Sequence, residues 1–216
     1  MRNDEYNLKY SQDDYFDNRK WINEIYVKNI IRKSGLSRTS HLLDVGCGQG
    51  HFSYLFNKNG MSVLGVDLSV TGIRYARKRY ERDGLSFMIC DAFEIPVKTK
   101  FDCVFARSLS IYNTDNIKQI QTITKTLMEH IKADGLFIFC YNANFNKIKS
   151  DVWRCHSLDQ VKRFFSDYQN KEIYFSSKID CLIFRKFAFN KVFSYINVFA
   201  SRILGLGGEI VCIIKK

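Results

Sequence analysis

Five short apolar segments recur along the first 140 residues, and polar or glycine positions separate them. Continuous hydrophobic runs of this length predict β-strands that are buried on both faces, as in a parallel sheet. The segments are residues 41–45, 62–67, 85–91, 101–106 and 136–140, and a last strand is expected at residues 209–214.

Amphipathic patterns between these strands predict helices. Residues 114–133 carry isoleucine and leucine at steps of three and four, and Gly135 is expected to end this helix. Residues 69–82 show a weaker stripe, for which Ser69 is the predicted N-cap. Alternating strands and helices imply βαβ units, and hence an open α/β sheet with helices on both faces. Ligands of such sheets bind outside the carboxyl ends of the strands.

The first of these strand ends is rich in glycine. Residues 44–50 read Asp-Val-Gly-Cys-Gly-Gln-Gly, and a helix is expected from about His51. Glycines allow a sharp turn and a close approach of a ligand, and the helix N-terminus that follows favours negative charge. The dinucleotide pattern G-x-G-x-x-G requires glycine at position 51, so His51 disfavours dinucleotide binding.

The next two strands end in carboxylates. Asp67 ends the second strand and is placed to accept hydrogen bonds from both hydroxyls of a ribose. Asp91 stands at the end of the third strand, where a carboxylate can accept from an exocyclic amine. Each aspartate alone is more often a helix cap than a ligand. Three such features on successive strand ends together predict a nucleoside site without a phosphate clamp.

These motifs resemble, in order and spacing, those of the class I S-adenosylmethionine-dependent methyltransferases. Residues 42–50 resemble the family's glycine motif, residues 66–69 its ribose motif, residues 90–92 its adenine motif, residues 101–104 its strand-four motif and residues 131–136 its L-K-P-G-G turn. In that turn Ala133 and Asp134 replace the proline and the first glycine. The resemblance covers about residues 38–142.

The resemblance implies a Rossmann-like α/β fold with a seven-stranded, mostly parallel sheet in a single methyltransferase domain. Within residues 1–216 it implies an N-terminal helical cap (1–36), a cofactor-binding core (38–142) and acceptor-side elements with the last strands (143–216). An aromatic and basic insert would precede the last strand.

The resemblance also implies residue roles toward S-adenosyl-L-methionine. Asp44 would help to hold the ammonium, Asp67 would bind the ribose and Asp91 the adenine amine. The remaining cofactor-binding set is Gly46, Gly48, Gly50, Leu68, Ala92, Arg107, Tyr15 and Arg19. Tyr15 and Arg19 would cover the sulfonium and pair with the cofactor carboxylate, unless their segment is an amphipathic helix that only packs.

Methyl transfer is an in-line displacement that depends chiefly on alignment. His156 is the candidate general base, because its ordinary pKa is near neutrality, and Tyr112 is a second catalytic candidate. The alternative for His156 is a partly exposed side chain ahead of a helix that Ser157 caps. Arg107 either holds an anionic acceptor or forms a salt bridge. Residues 107–113 lack the Asn/Asp-Pro-Pro-Tyr/Phe sequence of enzymes that methylate amino groups of bases or glutamine.

The chain carries 33 Lys and Arg against 22 Asp and Glu, a formal charge of +11. This excess favours a small or medium anionic acceptor, such as a nucleotide-linked sugar or a surface-glycan intermediate. An RNA methyltransferase and a catalytically silent, partner-binding subunit are the alternatives. An evenly spread solubility charge would also account for the excess.

Residues 179–204 are rich in phenylalanine and basic side chains, which is typical of a substrate lid, a dimer face, a membrane-surface helix or a packed core helix. The seven cysteines have no C-x-x-C spacing, so neither a metal site nor a disulfide framework is expected. No apolar run is long enough to span a bilayer, and residues 1–5 are too polar for a signal peptide. The protein is expected to be cytoplasmic, as a monomer or homodimer.

Overall fold

The computed structural model describes Tyr10 and residues 20–143, 153–177, 188–204 and 207–216. Within these ranges, seven strands form one sheet in the order β3-β2-β1-β4-β5-β7-β6. The strands are β1 (His41–Val45), β2 (Ser62–Asp67), β3 (Leu85–Ile89), β4 (Phe101–Arg107), β5 (Ile131–Asn142), β6 (Lys171–Ser177) and β7 (Gly208–Lys215). β1 to β5 pair in parallel, and β7 runs antiparallel to β5 and to β6. This is the mostly parallel, Rossmann-like sheet that the sequence predicts.

Helices cover both faces of the sheet. They are α1 (Lys20–Ser34), α2 (His51–Lys58), α3 (Val70–Tyr80), α4 (Ile117–Glu129), α5 (Leu158–Phe164) and α6 (Lys191–Leu204), with a 3₁₀ turn at Ser110–Tyr112. One core cluster joins the sheet to α4 and α5, and the other joins it to α1, α2 and α3. Successive strand residues alternate between the clusters, as Val104 and Phe105 do, because side chains of a strand point to opposite faces.

The predicted helix starts are confirmed where a side chain caps the helix. Ser69 accepts a hydrogen bond from the backbone N–H of Gly72 at 3.0 Å and begins α3. Ser157 and Gln160 form a reciprocal capping box at the start of α5. α2 begins at His51, as expected.

The prediction of a helix over residues 114–133 is too long, and the role given to Gly135 is wrong. Asn116 caps α4 by accepting from the N–H of Gln119, and the helix ends at Glu129. Ile131 already pairs with β4 as the first residue of β5. Gly135 lies inside β5, where the register shifts and Asp134 adopts a positive φ of 63°. The isoleucine stripe therefore continues past the end of the helix to Ile131, the first residue of the strand.

Gly50 shows why the turn from β1 into α2 needs glycine. It is the N-cap of α2 with φ 78°, a conformation that L-residues with a Cβ rarely adopt. A Cβ on Gly50 would lie 2.7 Å from the Phe87 ring and 2.8 Å from the Ala76 Cβ. Conformation and packing both exclude a side chain here.

We expect Gly50→Ala to lower the free energy of unfolding by about 2–4 kcal/mol, from backbone strain together with overpacking against Phe87. Gly35→Ala is the matched control, because Gly35 has φ 72° but nothing within 4 Å of an added Cβ. The control should lose only the backbone contribution of about 1–2 kcal/mol. Urea unfolding of both variants measures the difference, and equal losses would show that Phe87 and Ala76 yield to the extra methyl group.

Candidate active site

A cleft of about 600 Å³ opens at the carboxyl ends of the parallel strands. Its walls come from the ends of β1, β2 and β4 and from the segments that follow β3 and β5. β2 lies on one side of β1 and β4 on the other, so the chain order reverses at this point of the sheet. Open α/β sheets bind ligands at such a switch point.

The glycine segment after β1 forms the floor of the cleft. The N–H groups of Gly46 and Cys47 both donate to the carbonyl of Val66, at 2.8 and 3.0 Å. A Cβ on Gly46 would lie 2.6 Å from Leu109, and one on Gly48 would lie 2.8 Å from the Tyr10 hydroxyl. The backbone therefore lies close against Leu109 and Tyr10, and a side chain at either glycine would collide with them.

Asp67 joins the end of β2 to this glycine segment. Its Oδ2 accepts from the N–H of Gly48 and its Oδ1 from the N–H of Ser69, each at 2.8 Å. Burial raises the pKa of Asp67, and these two hydrogen bonds oppose the rise. An ionised carboxylate has about four acceptor sites, so two remain for a ligand.

Asp44 lies at the base of the cleft and is almost completely buried. The Ser53 hydroxyl donates to its Oδ2 at 2.5 Å. Burial raises the pKa of Asp44 to about 7, the charge of Asp67 adds to the rise, and the hydrogen bond from Ser53 opposes it. A carboxylate desolvated in this way is stabilised by a cation placed in the cleft.

The segment after β3 provides an apolar edge beside a carboxylate. Asp91 is exposed, and its Oδ1 accepts from the N–H of Phe93 at 2.9 Å. Leu68 and Phe93 line the cleft although 50% and 42% of their surfaces are exposed, and Ala92 is also part of the lining. Apolar side chains exposed beside an acceptor suit a flat ring that carries an amine.

Arg107 lines the cleft and is held by Glu209. Its guanidinium forms a two-pronged ion pair with that carboxylate and lies 4.3 Å from the centre of the Phe52 ring. The Tyr26 hydroxyl donates to the same carboxylate at 2.8 Å. Burial disfavours the charged form, but the charge of Glu209 outweighs it and raises the pKa of Arg107. Of the two alternatives for Arg107, the salt bridge is present.

His156 and Tyr112 lie behind the cleft wall, so neither is placed as a catalytic group. Both are completely buried and neither lines the cleft, whereas their chain neighbours Ile111 and Cys155 do. The Nε2 of His156 is 2.8 Å from the carbonyl of Tyr112 and therefore carries the proton that it donates. The Tyr112 hydroxyl bonds Thr124, whose own proton goes to the carbonyl of Ile120. Burial lowers the pKa of His156, which stays a neutral donor.

The other predicted site residues separate into three groups. Gly46, Gly48, Leu68, Ala92, Asp44, Asp67, Asp91 and Arg107 line the cleft. Gly50 lies beneath it and shapes the turn into α2. Tyr15 and Arg19 lie outside the described residues, but Tyr10 of the same segment lines the cleft and its carbonyl accepts from Gln49 at 3.0 Å.

Sequence reasoning missed the residues whose partners are remote along the chain. Glu209 binds Arg107, which lies 102 positions away in the sequence, and no local sequence pattern predicts this pair. Leu109 and Phe52 are cleft residues that resemble ordinary core positions. The only signal for Leu109 is its place directly after β4, where cleft residues are expected.

A model of the methyltransferase domain matches residues 36–186. The chain belongs to this methyltransferase family. It is 33% identical over 128 residues to the ubiquinone biosynthesis O-methyltransferase of Coxiella burnetii. This alignment covers 57% of this chain and 53% of that protein. It is 30% identical over 165 residues to a Geobacillus sp. (strain WCH70) protein named as a methyltransferase. This alignment covers 65% of this chain and 66% of that protein. The chain thus spans about half to two thirds of the length of these two relatives.

Solved structures have the same fold. Phosphoethanolamine N-methyltransferase 2 of Haemonchus contortus, in complex with S-adenosylhomocysteine, aligns with a TM-score of 0.64 at 16% identity and covers 100% of this chain and 60% of that one. The DhpI–S-adenosylhomocysteine complex aligns with a TM-score of 0.65 at 12% identity, covering 98% and 93%. The cofactor of this methyltransferase is S-adenosylmethionine.

The residues of the cleft fit this cofactor. A side chain on Gly46 or Gly48 would collide with Leu109 or Tyr10 of the lining, and three carboxylates stand along the cleft. S-adenosylmethionine carries a sulfonium and an ammonium, and a positive charge beside the buried carboxyl group of Asp44 would favour its ionised form. A ribose and an aminopurine need the acceptors that Asp67 and Asp91 provide.

We expect the methyltransferase to lose stability as the pH rises through the titration of Asp44. The folded state binds a proton with pKa about 7, whereas an unfolded aspartate titrates near 3.9. The folded protein therefore holds an extra proton between these values. Its free energy of unfolding should fall by up to about 1.4 kcal/mol per pH unit from pH 5 to 7, relative to Asp44→Asn, and then level off.

Urea unfolding at several pH values measures this difference. Asp102→Asn is the control, because hydrogen bonds from His41 and Lys132 outweigh burial and lower the pKa of Asp102. Its contribution changes only at lower pH, so the control curve should run parallel to wild type from pH 5 to 7. Parallel curves for Asp44→Asn as well would contradict the raised pKa.

Proposed function

We propose that this methyltransferase binds S-adenosylmethionine along the edge of the sheet and methylates an acceptor with an apolar or aromatic body and one polar group. The observation that carries the cofactor assignment is the set of three carboxylates, on the ends of β1 and β2 and just after β3, around one glycine floor. When bound, the cofactor supplies an electrophilic methyl group on a positively charged sulfur.

Each carboxylate has a separate role in this proposal. Asp44 stabilises the positive charge of the methionine portion from below. Asp67 accepts from the ribose hydroxyls while it holds the N–H of Gly48 in place. Asp91 accepts from the adenine amine, with Leu68 and Phe93 against the ring. Tyr10 covers the glycine floor, and Tyr15 and Arg19 of the same N-terminal segment remain proposed cofactor contacts.

The charge of the cleft supports a cationic ligand although the whole chain is basic. The described lining contains three aspartates, and its arginine, Arg107, is neutralised by Glu209. The excess of +11 is therefore not concentrated on the described walls of this cleft. Local charge decides which ligand a buried site stabilises, because interactions strengthen where water is excluded.

The acceptor side of the cleft has a different composition. Leu109, Ile111 and Trp153 line it after β4 and β5, and Phe52 approaches from α2. Ser108, Ser110 and Asn142 provide the polar groups. An apolar wall with a few polar groups binds the body of a small molecule and fixes the orientation of its reacting atom.

An anionic acceptor is the second candidate. The basic charge of the chain favours it, and a structural neighbour acts on a phosphoethanolamine. Against it, the arginine on which the prediction rests is already paired. The relative from Coxiella burnetii, whose name places it in ubiquinone synthesis, favours the acceptor with an apolar body.

We assign His156 and Tyr112 a positioning role. His156 bonds the carbonyl of Tyr112 and so holds the 3₁₀ turn that carries Ser110 and Ile111 into the cleft. Methyl transfer from a sulfonium requires alignment of the acceptor, and a fixed turn supplies it. The walls exclude water and orient the nucleophile.

We expect Asp91→Asn to weaken S-adenosylhomocysteine binding about tenfold, because one hydrogen bond to a charged acceptor is lost. The hypoxanthine analogue of this ligand lacks the amine, so wild type should bind it about as weakly as the variant binds the adenine form. Asp83→Asn is the matched control, since Asp83 is an exposed aspartate that precedes β3 at the opposite end. Titration calorimetry measures all combinations, and unchanged affinity in the variant would remove Asp91 from the adenine site.

We expect labelled methyl transfer to phenolic or amine acceptors with an aromatic or alkyl body, and none to phosphoethanolamine or sugar phosphates. Trp153→Ala should raise the acceptor KM about tenfold through lost apolar contact and leave S-adenosylhomocysteine affinity unchanged. Trp21→Ala is the control, because Trp21 is exposed on α1 and outside the cleft. Turnover with phosphate-bearing acceptors alone would select the anionic candidate instead.

A further inference from the structure

Helix α6 turns its polar side inward and its apolar side outward. Its buried residues are Ser194, Asn197, Val198 and Ser201. Its exposed apolar residues are Val192, Tyr195, Ile196, Phe199 and Ile203, together with Leu204 at its end, with 50–71% of their surfaces accessible. Exposed contiguous apolar surface marks an interaction site.

The polar inner face has a structural function of its own. β6 is the edge strand of the sheet, and α6 packs along it. The Ser194 hydroxyl accepts from the N–H of Phe175 at 3.2 Å and lies 3.4 Å from its carbonyl. α6 thus satisfies backbone groups of an edge that would otherwise stay exposed. This docking fixes the helix with its apolar residues pointing away from the protein.

The outer residues form one stripe with a basic margin. Positions 192, 195, 196, 199 and 203 follow the steps of three and four that place side chains on one helix face. Lys191 and Arg202 are eleven residues apart, just over three full turns, so they lie in line beside this stripe. Residues 191–204 contain no aspartate or glutamate. We call the five apolar residues with Lys191 and Arg202 the α6 face.

We propose that the α6 face docks on an anionic lipid surface, with the helix parallel to the bilayer. An apolar, aromatic stripe with lysine and arginine at its margin is the composition of interfacial helices, since the basic groups reach the headgroups while the stripe enters the acyl boundary. No described helix is long and apolar enough to cross a bilayer. The contact is therefore peripheral.

The charge of the chain favours an anionic bilayer over a second copy of the chain as the partner of the α6 face. A two-fold contact through α6 would bring two identical basic margins together, on two chains that each carry +11. Like charges across an interface oppose association. An anionic bilayer compensates the same charges.

The connection from α6 to β7 places the proposed docking surface relative to the cleft. Residues 205–207 separate α6 from Gly208, which pairs with Ser177, and Glu209 pairs with Asn142 of the cleft lining. The C-terminal end of α6 therefore lies toward the edge of the sheet where the cleft opens. Docking holds that edge near the lipid headgroups.

Sedimentation of sucrose-loaded vesicles with the full chain tests the proposal. Vesicles of equal parts phosphatidylcholine and phosphatidylglycerol should bind the protein, vesicles of phosphatidylcholine alone should bind it much more weakly, and salt should release it. Phe199→Ser should reduce the partition coefficient at least tenfold, and Arg202→Gln about fivefold.

Matched controls separate the α6 face from general stickiness and charge. Ile117→Ser removes a half-exposed isoleucine from α4, and Arg74→Gln removes an exposed arginine from α3; both should bind like wild type. Equal losses in the controls, or no binding of wild type to anionic vesicles, would overturn the proposal. So would a lipid-free dimer that Phe199→Ser dissociates in analytical ultracentrifugation. Vesicle binding requires no methyl transfer, so it stands or fails separately from the proposed acceptor.

Discussion

The cleft depends on the carboxylate of Asp67, which joins two neighbouring strand ends. One of its oxygens holds the N–H of Gly48 and the other holds the N–H of Ser69, the residue that caps α3. With the bonds from Gly46 and Cys47 to Val66, these contacts fix the floor between β1 and β2. The group that binds the ribose in our proposal is therefore also the group that shapes the backbone around it. The free oxygen sites of Asp67 are held in position before any ligand arrives.

The chain can be basic overall and still have an acidic cleft, because screened surface charges and buried charges influence a ligand over different distances. Surface lysines and arginines are screened beyond roughly 10 Å, so they influence encounter more than the energy of a buried ligand. Inside the cleft, burial and the neighbouring Asp67 set the pKa of Asp44, and Glu209 cancels the charge of Arg107. The prediction of an anionic acceptor rested on the net charge of the sequence. The described cleft does not present the basic groups that give this charge.

The parts that local sequence predicts are those governed by local physics. β1 and β2 have the bounds that their apolar runs predict, because strands buried on both faces need no partner information to be recognised. The cap at Ser69 is equally local. The end of α4 could not be predicted from its stripe, since an isoleucine suits the strand that follows as well as the helix. The burial of His156 could not be predicted from local sequence either. The aromatic rings that pack against it belong to other elements, that of Tyr141 among them.

Strand β7 links the two surfaces that carry the proposed chemistry and the proposed docking. Its first residues pair with β6, which α6 covers, and with the end of β5, where Asn142 enters the cleft. Glu209 of the same strand fixes Arg107 against Phe52 in the cleft wall. Because the contacts run through backbone pairing and a buried ion pair, α6 and the acceptor wall have fixed relative positions. If both proposals hold, an acceptor with an apolar body would reach this wall from the same lipid surface on which α6 docks.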